Sequence, residues 1–173
     1  MASSLLRAFA RTCAVVKRDQ ESIGAAVGRI PSGCAILTAT HAGRSTGLLV
    51  SWVQQAAFEP MALSVCVKRG RPVEELIEGS SRFLINILGH HPAAMFKHFG
   101  KGFSLEEDAF AGLDIRTTEY GPLIESCIAH LGCSVMNKVP AGDHNLYIAS
   151  VEAAGVVDGA APYTHVRKSG YSY

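Results

Sequence analysis

The chain is poor in charge and has no long apolar run. Asp, Glu, Lys and Arg make up 18% of its 173 residues against 48% for the hydrophobic set, where a soluble domain carries about 25% charge. A disordered chain has the opposite balance and is excluded. With a net charge of +1 there is no uniform basic field for nucleic acid, and no nucleic-acid-reading motif is present. The longest uncharged windows, 30–43 and 45–58, are studded with Ser, Thr, Gly and Gln. Neither approaches the roughly 18 apolar residues a membrane span needs. A soluble, cytoplasmic protein of one main domain is expected, with no membrane partner.

Cysteine is sparse and unpatterned. Cys13, Cys34, Cys66, Cys127 and Cys133 are an odd number with no CxxC pair, which points to reduced, buried thiols rather than a disulfide framework. GxSxG, Walker, HExxH and GxGxxG motifs are lacking, the nearest to the last being Gly100-Lys101-Gly102. A nicotinamide cofactor would therefore bind without a Rossmann fingerprint. Cys127, His130 and Cys133 have metal-like spacing, but on a strand the two thiols would share one face and the imidazole the other, so no metal site is expected. His90, His91 and His98 lack a Cys or carboxylate at ligand spacing.

The positive signals begin at the N-terminus. Residues 1–18 contain no acid and set Leu5, Leu6, Phe9, Cys13 and Val16 at helical spacing beside Arg7 and Arg11. This reads either as an organellar import segment or as an ordinary N-terminal helix. Residues 1–20 are taken as a basic extension and 21–173 as the domain.

From Gly33 onward the period is two. Met61, Leu63, Val65 and Val67 alternate with Ala62, Ser64, Cys66 and Lys68, and similar runs at 34–40, 47–53, 82–88, 128–139 and 145–151 give at least six strands. Helices are expected at Pro72–Glu78, stopped by Gly79, and at Pro92–Phe99. Many short strands without βαβ alternation argue for a mainly β, antiparallel barrel with helical excursions. The excess of apolar residues points to surface covered by a flat ligand or by a second copy.

Three stretches carry candidate chemistry. In Val67-Lys68-Arg69-Gly70-Arg71-Pro72 a strand ends, three cations surround a glycine and a helix starts at proline. Helix-start N–H groups with added cations form an anion cradle, while a solvated basic connector explains the same residues. The run Thr46, Gly47, Leu48, Leu49, Val50, Ser51, Trp52, Val53, Gln54, Gln55 joins apolar walls to a polar edge, as a planar heteroaromatic ring requires, or is a core strand with polar ends. His144, after Gly142-Asp143, stands at the mouth of a strand, where an imidazole touches a ligand or serves structure.

Taken in order, several stretches resemble the flavin-reductase-like, FMN-binding split-barrel family, most closely the flavin reductase domain at the C-terminus of flavodiiron proteins. These are Arg29-Ile30-Pro31-Ser32-Gly33-Cys34, Ser51-Trp52-Val53-Gln54-Gln55-Ala56, Phe58-Glu59-Pro60, Phe83-Leu84-Ile85-Asn86-Ile87-Leu88, Phe110-Ala111-Gly112-Leu113, Gly142-Asp143-His144 and His165-Val166-Arg167-Lys168-Ser169-Gly170. The resemblance spans about 21–173 and implies FMN or FAD bound in a split barrel at a homodimer interface, reduced by NADH or NADPH. It implies that Thr46 to Gln55 face the isoalloxazine ring and ribityl chain, that Lys68, Arg69 and Arg71 meet the phosphate, and that Asn86 lies beside the flavin. His144 would place the nicotinamide. No di-iron ligand set is visible, so electrons are expected to pass to free flavin, dioxygen or an acceptor protein. Met61 stands where many members have a second proline. A flavin-binding relay or carrier module without turnover is the alternative function, and a split barrel for another phosphate cofactor, pyridoxal or haem-like, is a third.

Overall fold

The computed structural model describes residues 16–157 and 159–172. The helical-spacing segment before Val16, with Cys13, lies outside them. The elements in chain order are α1 (Gln20–Val27), β1 (Ser32–Gly33), β2 (Ala35–His41), β3 (Arg44–Val50), β4 (Val53–Phe58), β5 (Met61–Lys68), α2 (Val73–Ser80) and β6 (Arg82–Ile87). They continue with α3 (Ala93–Phe99), β7 (Ile115–Thr117), β8 (Pro122–Ile124), β9 (Ala129–Ala141), β10 (His144–Val156) and β11 (Thr164–His165). No helix among the described residues is long and apolar enough to cross a membrane.

The architecture is the mainly β, antiparallel barrel that the strand pattern predicts, in the split-barrel form that the resemblance implies. One seven-stranded sheet has the order β3-β2-β6-β9-β10-β5-β4, and β1–β11 and β7–β8 form two small pairs. Ala35, Leu37 and Ala39 of β2, Leu63, Val65 and Val67 of β5, and Tyr147 and Ala149 of β10 meet in one apolar cluster. Side chains from strands this far apart in the order share an interior only if the sheet curls, since alternate residues of a strand face one side. Val73, Leu76 and Ile77 of α2 join that interior. On the opposite face of β2, Cys34 and Ile36 belong to a second cluster with Phe99, Phe103, Phe110, Ile124 and Cys127. β2 is thus buried on both faces.

Residues 31–165 form one compact unit, and 16–30 with 166–172 form another. In the second, Asp19 caps α1 by accepting the Ser22 N–H at 2.8 Å, as N-cap aspartates do. The Gly170 N–H donates to the Gly24 carbonyl at 2.7 Å, which ties the tail to the helix.

Three sequence expectations need correction. The run at 47–53 is not one strand: β3 ends at Val50 and β4 begins at Val53. These two strands are the opposite edges of the sheet, and Ser51 and Trp52 carry the chain across between them. α2 does not stop at Gly79 but runs to Ser80, with Ser81 in the left-handed region at φ 56° as its C-cap. Gly79 is required by packing: a Cβ there would stand 2.3 Å from the His41 ring. Cys127 and Cys133 do not share a face, because Cys127 precedes β9 and packs in the second cluster while Cys133 packs in the first.

Asn86 is the polar hub of the wall. It is 0% exposed, and its amide donates to the Ile36 carbonyl at 3.1 Å and to Thr38 Oγ1 at 3.3 Å. Its carbonyl accepts the Ile124 N–H at 2.9 Å and lies 3.1 Å from His130 Nδ1. Burial holds the His130 imidazole below its ordinary value of 6.5.

Three outcomes are expected. Asn86→Ala strands several buried partners and lowers unfolding stability by about 3 kcal/mol or more in urea titration, and Gly47→Ala, whose Cβ would meet Phe99 at 2.6 Å, costs about 1–3 kcal/mol by overpacking. His130 is neutral in the folded chain while the unfolded chain takes up its proton near 6.5, so stability is full above that pH and is lost as pH falls towards the folded value. His130→Gln flattens that part of a stability–pH profile.

Candidate functional site

β5 ends at Lys68, and the Arg71 N–H donates to the Lys68 carbonyl at 3.3 Å to close a four-residue turn. Gly70 sits in it at φ 79°, a left-handed backbone that glycine adopts without steric cost. Lys68 and Arg69 are exposed and Arg71 half-buried. Among the described residues none of the three has a carboxylate within ion-pair distance. α2 starts directly after them, with no side chain capping its first turn. Of the three cations, Arg71 lines a small cleft of about 10 Å³ that it shares with Thr46, Leu48, Pro72 and Gly102. Thr46 is 1% exposed and its Oγ1 has no hydrogen-bond partner. Burying a hydroxyl unpaired costs about 1–3 kcal/mol, and an orphan of this kind in so small a cleft beside the Arg71 side chain calls for one polar atom as its partner.

The crossing between sheet edges forms the next wall. Ser51 is buried, and the Trp52 carbonyl accepts the Cys66 N–H at 3.0 Å. The Trp52 indole lies against the His144 imidazole, ring centroids 4.8 Å apart and tilted by 41°. Leu48 and Val53 pack on the first core, whereas Gln54 and Gln55 are exposed on the edge strand β4.

The β9–β10 hairpin closes the site. Antiparallel register sets His144 opposite Lys68, and the Asp143 carbonyl accepts the Arg69 N–H at 3.0 Å. His144 is 6% exposed, and its Nδ1 is 2.7 Å from Asp143 Oδ1. That bond is the main cause holding the Asp143 carboxyl below the usual carboxylate range. Residues 46, 68–71 and 144, distant in sequence, thus come to one end of the barrel.

Of the remaining candidates, Asn86 stands apart: buried, with its amide engaged on the wall, it has no free surface for a ligand. The residue that pattern reading missed is Glu74. Its carboxylate accepts the Gly70 N–H at 2.8 Å, Asn145 Nδ2 at 2.7 Å and the Tyr147 hydroxyl at 2.9 Å. An acid placed three residues after a basic cluster was the available signal. Among the described residues burial makes the thiols poor nucleophiles, pushing Cys34 up to about 11, Cys127 and Cys133 up to about 12, and Cys66 upward.

Comparison with known proteins bears on the family and the fold. Residues 27–172 match the family described as flavin reductase like domain. The chain is 40% identical over 153 residues to a protein of Nostoc sp. bearing the name diflavin flavoprotein A 6, covering 86% of this chain and 26% of that one. It is 35% identical over 152 residues to diflavin flavoprotein A 1 of Synechocystis sp., again covering 86% and 26%. The chain therefore spans about a quarter of the length of these relatives. Among solved structures it is similar to nitrilotriacetate monooxygenase component B from Mycobacterium thermoresistibile, with 27% identity, a TM-score of 0.75 and coverage of 86% and 83%. It is also similar to the styrene monooxygenase flavin reductase of Pseudomonas putida, with 25% identity, a TM-score of 0.69 and coverage of 82% and 90%. With a match over most of its length and a split barrel to accompany it, this chain belongs to the flavin reductase like domain family.

Proposed function

We propose that this domain binds FMN, or FAD in its place, and reduces it with NADH or NADPH, the electrons leaving to free flavin, dioxygen or an acceptor protein. The observation that carries the reading is the basic turn: among the described residues Lys68, Arg69 and Arg71 have no carboxylate within ion-pair distance, they stand at the uncapped start of α2, and Arg71 shares a small cleft with the orphan Thr46 hydroxyl. A flavin phosphate needs such donors, and the residues present fit it. The relative named as a flavin reductase supports the reaction class.

When bound, flavin supplies the hydride acceptor for a nicotinamide, so the protein's part is binding and orientation. Lys68, Arg69 and Arg71 hold the phosphate by charge, and Thr46 donates its hydroxyl proton to the ligand's polar chain. Backbone and side chains from Gly47 to Val53 wall the ring. His144, braced by Trp52 and Asp143, orients the incoming dinucleotide. A homodimer is part of this reading, supported by Phe58 and Met61, which stand exposed on the β4–β5 hairpin. Residues 1–20 remain a proposed extension that directs or packs the domain.

The test is anaerobic mixing of the protein with FMN, with NADH and NADPH added in parallel, following the flavin's visible absorption band. Bleaching well above a protein-free control is expected. Flavin that binds but is not reduced by either nucleotide would instead make the domain a relay or carrier, and absence of binding would leave only the fold. His144→Ala is expected to cut nicotinamide oxidation about tenfold with FMN binding retained, while unchanged turnover removes His144 from the mechanism. Arg71→Ala is expected to weaken FMN binding about tenfold, as loss of one charge-assisted bond does, and raised salt weakens the wild type in the same direction.

A further inference from the structure

Glu74 is a carboxylate that the proposed chemistry does not use, yet it is 7% exposed and every side of it is occupied. Oε2 accepts the Gly70 N–H at 2.8 Å. Oε1 accepts Asn145 Nδ2 at 2.7 Å and the Tyr147 hydroxyl at 2.9 Å, and Lys138 Nζ stands 3.9 Å away. Burying an ion is costly unless hydrogen bonds and charge surround it, as they do here. Burial and this bond to Glu74 push the Tyr147 phenol upward, so it stays a donor.

The donors come from two places. Gly70 is in the middle of the basic turn, and Asn145 and Tyr147 belong to β10, where Asn145 adjoins His144. One carboxylate therefore joins the phosphate-facing turn to the barrel strand that carries the imidazole. Without it the backbone bonds from Arg71 to Lys68 at 3.3 Å, from Arg69 to Asp143 at 3.0 Å and from residue 74 to the Arg71 carbonyl at 2.9 Å remain, but none of them holds the Gly70 N–H. The Gly70 peptide would then be free to rotate, and the directions of the three cations would spread. The negative charge of Glu74 does not oppose an anion at the turn, because its oxygens face inward and are met by three donors, with the Lys138 ammonium 3.9 Å away.

We propose that Glu74 is a positioning residue whose buried carboxylate locks the Lys68–Arg71 turn onto β10, and that this preorganisation makes the site select phosphorylated flavin over flavin lacking a phosphate. The inference rests on the functional reading above and deepens it. Preorganised donors bind a matching group more tightly because less ordering accompanies binding.

The probes are FMN and riboflavin, which differ in the phosphate alone, with Kd measured by quenching of flavin fluorescence. In Glu74→Gln the amide oxygen stays on the two β10 donors and the NH2 is turned to the Gly70 N–H, so the turn is released while the barrel tie is kept. FMN binding is expected to weaken at least tenfold and riboflavin binding less than twofold. Glu74→Asp, too short to span both partners, is expected to act in the same direction, and Tyr147→Phe, which leaves the Gly70 bond, to keep the FMN-to-riboflavin ratio within twofold of wild type. Equal losses for both flavins, or an unchanged ratio in Glu74→Gln, overturn the positioning role alone. A wild type that binds FMN no better than riboflavin overturns the phosphate corner itself and this role with it. Should neither Glu74 variant fold, hydrogen exchange of the Gly70 amide in the wild type decides: strong protection supports the lock, and exchange at the solvent rate overturns it.

Discussion

Antiparallel pairing of β5 with β10 sets His144 opposite Lys68, and three features of the site follow from that register. The β9–β10 hairpin tip lands beside the basic turn, so that the Asp143 carbonyl can meet the Arg69 N–H. Trp52, fixed through Cys66 of β5, falls against the imidazole. Asn145 and Tyr147 arrive under α2, where Glu74 waits. A one-residue slip would send each side chain to the other face and dismantle all three. The apolar alternation of β5, with Leu63, Val65 and Val67 pointing inward, guards against such a slip.

Strands whose two faces differ were legible in the sequence. β5 has an apolar core face in Leu63, Val65 and Val67 and a small or polar opposite face in Ala62, Ser64, Cys66 and Lys68, so period two was plain. The break between β3 and β4 was not legible, since Leu48 to Val53 is apolar apart from Ser51 through the crossing. What ends β3 is the geometry of a sheet with its two edges adjacent in the chain, a property of the whole barrel. Gly79 misled for a related reason: glycine was read as a helix terminator, while its actual constraint is the His41 ring from another hairpin.

The candidate site divides in the same way. Its basic corner could be read because Lys68, Arg69, Gly70, Arg71 and Pro72 are neighbours, and local chemistry shows in local sequence. Asn86 came with the family resemblance, yet its partners on β2 and β8 lie dozens of residues away, and only the fold reveals an amide spent on structure. Glu74 went unread because the groups that give it meaning lie 71 and 73 residues further on. Buried polar residues acquire roles from their partners, and partners at that distance leave no spacing to recognise.

β2 has a consequence of a different kind. Packed between two apolar clusters, with Leu37 facing one and Ile36 the other, it has no side through which water can enter unless one cluster opens. Local openings range in free energy from near zero up to that of global unfolding, with core strands at the upper limit. β2 occupies that limit here, and β3, its hairpin partner carrying Thr46, is anchored to it along its whole length. The wall bearing Thr46 is therefore held among the last parts of the fold to open.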